Sequence, residues 1–400
     1  MSDTNSFVRL RLRELKKLYR RASIWVDRTL HGVEGDKVVF SSFQGRGYND
    51  NPRFISERLH ERCPQAKIVW LMKQDAMAHA REIAPDYVKL VRARTTEAFH
   101  ELATARVWVD NFTKNNLLRH KKGQQFYIQT WHGDRPVKKI CYDEPMWAKG
   151  PYRIEERADR VLTGSKFGER MYRTAFRYNG EYIAQGAPRN DMLVRDDPDG
   201  IRRVREKLGV PQGVKLLLYA PTYRENTEVI PKRAQMDLMR TLDRLEQKTG
   251  DRWLCLFRAH YKSQGIDLEA VKDRLVDVSK YDEMTELLLA ADMVITDYST
   301  AGTDFILRNR PALFFVADWA EYISTRQVYY DVHDAPFMLA EDQDGLEALI
   351  DGLTEEKILR NCRDIRDYFG IYETGHATDA VCDYIIEKLS PQRDAQSGTA

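Results

Sequence analysis

Long apolar runs are missing from this sequence of 400 residues. No stretch approaches the roughly 18 apolar residues that a membrane-spanning helix needs, so we expect no transmembrane segment. Leucines near the N-terminus alternate with charged residues, unlike the apolar core of a secretory signal peptide. Cysteines are few, and none forms a CxxC pair: Cys63, Cys141, Cys255, Cys362 and Cys382. This pattern disfavours a zinc site and favours buried free thiols in a protein that stays inside the cell.

A net charge of one sign is also absent. The 63 Lys and Arg residues nearly balance the 61 Asp and Glu residues, which leaves a formal net charge of +2. Nucleic-acid-binding domains are usually strongly basic, so we expect no nucleic-acid partner. Apolar residues make up 42% of the chain and charged residues 31%, as in globular proteins. At about 150 residues per domain, the length predicts two or three domains.

The neutral average conceals a basic segment over residues 1–35. Its cations are Arg9, Arg11, Arg13, Lys16, Lys17, Arg20, Arg21 and Arg28. Leu12, Leu15, Tyr19, Ala22 and Trp25 recur among them at helical spacing, which predicts an amphipathic helix. Such a helix can lie on an anionic membrane surface, which would place the protein on the inner face of a bacterial cell membrane. It can equally pack on its own domain with a solvated basic face, and the sequence leaves both interpretations open.

After Gly35, short apolar segments alternate with helical patterns. The predicted strands are Lys37–Phe43, Lys67–Met72, Tyr87–Val91, Arg106–Asp110, Gln125–Thr130, Arg160–Thr163, Tyr182–Ala184, Lys215–Ala220, Trp253–Phe257, Leu275–Val278, Met293–Thr296 and Ala312–Phe315. This alternation is typical of βαβ units in a parallel sheet, and it restarts after a polar stretch at 196–200. We therefore expect an α/β fold with two doubly wound, Rossmann-like domains facing a cleft, at residues 36–192 and 193–390, followed by a disordered tail at 391–400.

Polar residues directly after the strands are the candidate site residues, because ligands of open α/β sheets bind at the carboxyl ends of the strands. The first strand is followed by QGRGYNDNP (44–52), where Gly45 suits a close approach to an anion or simply a turn. This loop is not GxGxxG, so a dinucleotide fingerprint is absent. His132 follows the fifth strand and can act as a general base or as a structural histidine beneath Trp131.

The second half of the chain carries a set of polar residues at three strand ends. They are Thr222, Arg224, Arg258, His260, Asp297, Ser299 and Thr300. Cations and a capped helix terminus can converge on a diphosphate. Taken singly, each residue can equally be a cap, a surface arginine or a member of an ion pair. Together they favour a nucleotide-diphosphate site.

At these motifs the sequence resembles the CDP-glycerol glycerophosphotransferases, the polyol-phosphate transferases of teichoic acid and capsule synthesis. The resemblance extends from about Val38 to about Ile385. Its landmarks are SSFQGRGYNDNP (41–52), QTWHG (129–133), LTGSKF (162–167), GAPRND (186–191), LLYAPTYRE (217–225), FRAH (257–260), YDEMTELLLAADMVITDYST (281–300) and RPALFFVADWAEY (310–322). The order and spacing of these motifs are more specific than any one of them.

The resemblance implies a glycosyltransferase-B-like fold, with a lipid-linked or glycan acceptor in the N-terminal domain and a CDP-polyol donor in the C-terminal domain. It implies that His132 is the catalytic base and His260 a donor-site histidine. It also implies contacts with the substrates. Together with the candidates from the strand ends, the predicted substrate-binding residues are Gly45, Arg189, Asn190, Asp191, Thr222, Arg224, Arg258, Asp297, Ser299 and Thr300. No acidic metal-binding cluster stands out, so no metal is assigned, and assistance by a divalent ion stays open.

Two other functions remain open from the sequence. One is a glycosyltransferase that uses a nucleotide sugar and shares the two-domain architecture. The other is a non-catalytic scaffold at the membrane surface that keeps the fold. Asp134 and Arg135 follow Gly133 where the family usually has a small hydroxyl residue, and Thr300 stands where a second Ser is common. These departures leave the transferred polyol undecided.

Overall fold

The computed structural model describes residues 22, 26, 29–112, 123–146, 148–150, 154–222, 234–258 and 269–389. Most of the predicted N-terminal basic helix and the tail 391–400 therefore lie outside the described residues. Within these ranges, no helix has both the length and the apolar character needed to cross a membrane.

The first half of the described chain forms a seven-stranded parallel sheet. Its strands are β1 (Glu34–Ser41), β2 (Lys67–Met72), β3 (Val88–Arg92), β4 (Ala105–Asp110), β5 (Phe126–Gln129), β6 (Arg160–Leu162) and β7 (Tyr182–Ile183), in the order β3-β2-β1-β4-β5-β6-β7. The helices of this half are α1 (Asp50–Arg62), α2 (Met77–Ile83), α3 (Thr96–Thr104), α4 (Ile154–Arg157) and α5 (Lys166–Ala175). Two further helices, α6 (Asp191–Arg195) and α7 (Pro198–Lys207), lead to the second half.

A six-stranded parallel sheet follows in the second half. Its strands are β8 (Lys215–Ala220), β9 (Trp253–Phe257), β10 (Leu275–Asp277), β11 (Met293–Thr296), β12 (Ala312–Phe315) and β13 (Met338–Ala340), in the order β10-β9-β8-β11-β12-β13. Its helices are α8 (Leu238–Thr249), α9 (Met284–Ala290), α10 (Thr300–Phe305), α11 (Trp319–Thr325), α12 (Gln343–Asp351) and α13 (Glu355–Phe369), and a last helix, α14 (Ala377–Lys388), ends the described chain.

Both sheets have the doubly wound order in which the first strand lies at the centre and the order reverses beside it. The reversal falls between β1 and β4 in the first sheet and between β8 and β11 in the second. The predicted α/β fold with two Rossmann-like sheets is confirmed. In such sheets the crevice beside the reversal is where ligands bind, which directs attention to the loops after these four strands.

The central strands carry continuous apolar segments, VVF in β1 and LLLYA in β8, because helices cover both faces of each sheet. In β1, Val38 and Phe40 belong to one apolar cluster, while Val39 belongs to another on the opposite face. In β8, Leu216 and Leu217 likewise separate into two clusters. Full burial of each such side chain stabilises the fold by about 1.5–3 kcal/mol. The rigid strands then hold their terminal loops in place.

Helix α14 returns the chain to the first sheet. Its residues Val381, Cys382 and Ile385 are fully buried in the apolar cluster that contains Val38 and Phe40. These residues lie within the predicted C-terminal domain, 193–390. Their packing partners, however, lie in the first half of the chain. Two segments therefore pass between the halves, one near residue 192 and one near residue 373.

Candidate active site

His132 follows β5, in the loop that the sequence singled out. Its Nδ1 lies 2.9 Å from the backbone oxygen of Asn111. A carbonyl oxygen only accepts hydrogen bonds, so Nδ1 carries the proton in the neutral imidazole and Nε2 carries the lone pair. This is the tautomer that a general base working through Nε2 requires.

Aromatic rings surround the imidazole. Its centroid lies 4.3 Å from the ring of Trp131, 5.7 Å from that of Phe112 and 5.2 Å from that of Phe43. Burial among these groups lowers the pKa of His132 below the usual histidine value. A lowered pKa keeps the imidazole unprotonated near neutral pH, so it can accept a proton.

Two asparagines that are not among the predicted site residues hold this loop. Asn111, fully buried after β4, accepts from the Phe43 amide at 2.7 Å and donates to Ser42 Oγ at 3.1 Å. Asn51, at the start of α1, donates to the Trp131 carbonyl at 3.0 Å. The hydrogen bond from Asn51 secures Trp131 in the left-handed region, at φ 48°, which costs energy for a bulky residue. Asn111 directly follows a predicted strand, so the rule applied to other strand ends would have found it.

The loops after β8 and β11 meet at the reversal point of the second sheet. Asp297 accepts from the Thr222 amide at 2.9 Å and from the Tyr298 amide at 2.7 Å. Ser299 caps α10 by accepting from the Ala301 amide at 3.2 Å. The predicted residues Thr222, Asp297, Ser299 and Thr300 are thus brought together at one edge.

The loops from the two sheets touch at Gly133. A Cβ atom added there would lie 3.1 Å from Thr300 Oγ1, and the Gly133 φ of +151° also disfavours a side chain. The residue after His132 thus packs directly against the first residue of α10. The loop that carries His132 on the first sheet therefore contacts the polar strand ends of the second.

Arg258 lies at the same edge of the second sheet, after β9. Its Nη1 donates to the Tyr281 carbonyl at 2.7 Å. The neighbouring Glu283 is 2% exposed and accepts from the Asp50 amide at 2.7 Å, so it joins the two halves. Burial, reinforced by Asp50, raises the pKa of Glu283. The other two predicted cationic donor-site residues, Arg224 and His260, lie outside the described residues.

The remaining predicted residues make contacts within the fold. Gly45 packs on β2, where an added Cβ would lie 2.6 Å from the Leu71 carbonyl oxygen. Asp191 accepts from the Ala377 and Thr378 amides at 2.9 and 2.8 Å, and so caps α14. Their predicted substrate contacts stay predictions.

Arg189 and Asn190 lie between the two halves of the molecule. The Arg189 guanidinium donates to Asp50 Oδ2 at 3.3 Å and to Asp304 Oδ2 at 3.0 Å. The Asn190 amide donates to Asp304 Oδ1 at 3.2 Å and to Glu373 Oε1 at 2.9 Å. Both side chains are buried, so the structure brings them to the interface beside the His132 loop.

In the part of the chain that the structure describes, no cluster of three or more His, Cys, Asp or Glu side chains is arranged to hold a metal ion.

Comparison with known proteins extends this description. The sequence profile of the family CDP-Glycerol:Poly(glycerophosphate) glycerophosphotransferase matches residues 24–387. The teichoic acid poly(glycerol phosphate) polymerase of Staphylococcus epidermidis is 29% identical over 383 residues, which are 90% of this chain and 52% of the relative. The protein of the same name in Bacillus subtilis is 28% identical over 97% of this chain and 53% of its own length. This chain thus spans about half the length of these two relatives.

A ribitol relative is also similar. The teichoic acid poly(ribitol-phosphate) polymerase of Bacillus spizizenii is 25% identical over 88% of this chain and 56% of the relative. The similarity therefore reaches the teichoic acid polyol-phosphate polymerases and transferases without separating glycerol from ribitol.

Solved structures agree with the sequence comparison. The wall teichoic acid polymerase TagF superposes with a TM-score of 0.79 at 26% identity, covering 97% of this chain and 98% of that chain. A TagF variant soaked with CDPG gives a TM-score of 0.80 at 26% identity, covering 96% of this chain and 98% of that one. The UDP-GlcNAc 2-epimerase of Neisseria meningitidis shares the glycosyltransferase-B-like fold alone, with a TM-score of 0.51 and 10% identity over 88% of this chain and 100% of that chain. This chain therefore belongs to the CDP-glycerol:poly(glycerophosphate) glycerophosphotransferase family.

Proposed function

We propose that this protein transfers a polyol phosphate, glycerol phosphate foremost, from a CDP-polyol to a hydroxyl of a lipid-linked or glycan acceptor and releases CMP. The product would be a teichoic-acid-like or capsular polymer. We place glycerol first because the two relatives named for poly(glycerol phosphate) are 29% and 28% identical to this chain and the poly(ribitol-phosphate) polymerase 25%, and because a TagF variant was soaked with CDPG, CDP-glycerol.

The observation that carries the proposal is the contact between Gly133 and Thr300. It sets the histidine loop of one sheet against the polar strand ends of the other. An acceptor hydroxyl beside His132 and a diphosphate beside Ser299 and Thr300 would then meet between them. Catalysis would come mainly from this positioning.

In the proposed step, His132 Nε2 accepts the proton of the acceptor hydroxyl. The hydroxyl oxygen forms a bond to the polyol-bearing phosphorus, and the bond from that phosphorus to the bridging oxygen breaks. CMP leaves with the electron pair, and the polyol phosphate becomes a phosphodiester. Arg258, the amides beside Ser299 and, by family resemblance, His260 would stabilise the negative charge of the diphosphate.

The decisive experiment is a CMP-release assay with a lipid-linked acceptor analogue and separate donors. CDP-glycerol, CDP-ribitol, a UDP-sugar and a GDP-sugar are compared at equal concentration. We expect release of CMP from CDP-glycerol, and turnover of a nucleotide sugar alone would identify a glycosyltransferase instead. The absence of turnover with all four donors would favour the scaffold.

For the basic N-terminal segment we propose docking on an anionic membrane. The support is its sequence, in which cations surround an apolar helical stripe. Flotation of the full chain with vesicles of phosphatidylglycerol and phosphatidylcholine tests this, with a chain lacking residues 1–30 as the control. Binding that survives the deletion contradicts the proposal.

A further inference from the structure

We propose that Asp304 acts with Arg135, Arg189 and Asn190 as an interdomain latch that sets the distance between His132 and the donor side of the site. The inference deepens the proposed function and rests on it. The latch assigns a positioning role to the interdomain motif PRND (188–191) and to Arg135, which departs from the family pattern after TWHG.

Asp304 is the second-domain member of the latch, and three side chains from the first half of the chain converge on it. Its Oδ1 accepts from Arg135 Nη2 at 2.5 Å and from Asn190 Nδ2 at 3.2 Å. Its Oδ2 accepts from Arg189 Nη2 at 3.0 Å. Asp304 is 4% exposed and Arg135 2%, so these charges are shielded from water. Buried charge-assisted hydrogen bonds of this kind hold their partners in one geometry.

Only a few residues of chain separate the latch from each half of the proposed site. Asp304 lies four residues after Thr300 in α10, so both side chains lie on the same face of the helix. Arg135 lies three residues after His132 in the loop that follows β5. The pair of Arg135 and Asp304 therefore ties α10, one turn after Thr300, to the loop of the proposed base.

A second route passes through Arg189. Its backbone amide donates to Asn51 Oδ1 at 3.1 Å, and Asn51 Nδ2 donates to the Trp131 carbonyl at 3.0 Å. Trp131 immediately precedes His132 and stacks on its ring. A displacement of Asp304 is thus transmitted to the histidine from both sides. Misplacement of reacting groups by about 1 Å can lower a rate by about 100-fold.

The test is Asp304→Asn, which keeps the side-chain size and removes the charge shared by the two arginines. The matched control is Asp196→Asn: Asp196 accepts from Arg308 Nε at 2.6 Å, and the Arg308 side chain is only 1% exposed. The control therefore removes an ion pair to an arginine as buried as Arg135 and outside the latch, from an aspartate whose own side chain is 45% exposed. Both variants are first checked for folding by circular dichroism.

We expect Asp304→Asn to lower kcat of CMP release by about 10- to 100-fold, with the Kd for CDP-glycerol within about threefold of that of the wild type. Asp196→Asn should leave both values near those of the wild type. A kcat within twofold of the wild type overturns the latch, and so does a loss of CDP-glycerol affinity that equals the loss in kcat. If Asp304→Asn does not fold, Arg189→Lys is measured against the same criteria, because a lysine cannot bridge Asp50 and Asp304 in parallel.

Hydrogen exchange of the folded variants separates the latch from the proposed function. Loss of the latch should speed amide exchange in residues 187–191, and Asp196→Asn should leave this segment unchanged. Unchanged exchange in Asp304→Asn overturns the latch. If the wild type releases no CMP from any donor, the proposed function fails, while the exchange result still decides whether the latch holds the two halves together.

Discussion

Glu373 offers a sharp test of the electrostatics between the two halves. It lies on the segment that returns the chain to the first sheet, and its side chain is 1% exposed. Its Oε2 accepts from the Ala187 amide at 2.8 Å, and its Oε1 lies 3.6 Å from Arg135 Nη1. Burial raises the pKa of Glu373 to about 7, although Arg135 opposes the shift and Asp134 reinforces it. Replacement by Gln keeps the shape of the side chain and removes the titration.

The sign and size of the expected change in stability follow from the coupling between proton binding by Glu373 and folding. The folded protein holds the Glu373 proton up to about pH 7, whereas the unfolded chain releases it near pH 4.5. Folding therefore takes up a proton within this interval, and the free energy of unfolding falls as the pH rises through it. At about 1.36 kcal/mol per pH unit, the loss amounts to about 3 kcal/mol. With an unfolding entropy of about 2.1 cal/mol/K per residue, this corresponds to about 4 °C in the Tm of the whole chain.

The assay compares the Tm of Glu373→Gln and wild type at pH 4.5, 6 and 8. We expect the Tm of the variant minus the Tm of the wild type to rise by about 4 °C between pH 4.5 and pH 8. Glu206→Gln, an exposed position on α7, makes the same change of charge and should show no such gain. Other titrating groups are common to both proteins and cancel in the difference. A difference that stays constant with pH would refute the assignment of a protonated Glu373 below neutrality.

Three further predictions concern the base, one loop and one core. His132→Gln should lower kcat by about 100- to 10,000-fold, with an unchanged Kd for CDP-glycerol by calorimetry. Because burial lowers the pKa of His132, the acid limb of the wild-type kcat profile should lie below pH 6.5. Near-normal turnover of the variant would contradict the proposed role of His132. Gly45→Ala should lower the free energy of unfolding in urea by about 1–3 kcal/mol more than Gly209→Ala does. Both glycines have a positive φ, but only at Gly45 would the added Cβ meet the Leu71 carbonyl oxygen. Equal losses in the two variants would contradict this. Ile385→Ala should cost about 2–5 kcal/mol in the same measurement, and a loss below 1 kcal/mol would show that α14 contributes little to the first core.

The sequence predicted the parts of the fold that depend on local pattern. All strands predicted from apolar segments up to Ala312–Phe315 are present, since buried parallel strands require continuous apolar residues. The elements from α11 onward were not predicted. Helices such as α12 and α13 are amphipathic, and β13 is only three residues long, Met338–Ala340.

The same distinction applies to the candidate site: residues near strand ends were predicted from the sequence, and contacts between distant residues were not. His132, Asp297 and Ser299 were predicted as site residues because each lies within three residues of a strand end, and the doubly wound topology gathers such positions at one edge. Their roles stay predictions. The latch was not found as a unit, because its hydrogen bonds join residues 114 and 169 positions apart, Asn190 or Arg135 with Asp304. A single sequence contains no local pattern for such pairs, and an aspartate four residues into a short helix resembles any surface carboxylate.

The return of α14 to the first sheet has a consequence for biosynthesis. The apolar cluster on one face of the second sheet has all its members once Phe369 has been made, whereas the cluster containing Val38 waits for Ile385. The half of the molecule that is synthesised first is therefore the half that is completed last. Until α14 arrives, the newly made β1 and α1 keep an uncovered apolar surface, the kind of surface that chaperones recognise on growing chains.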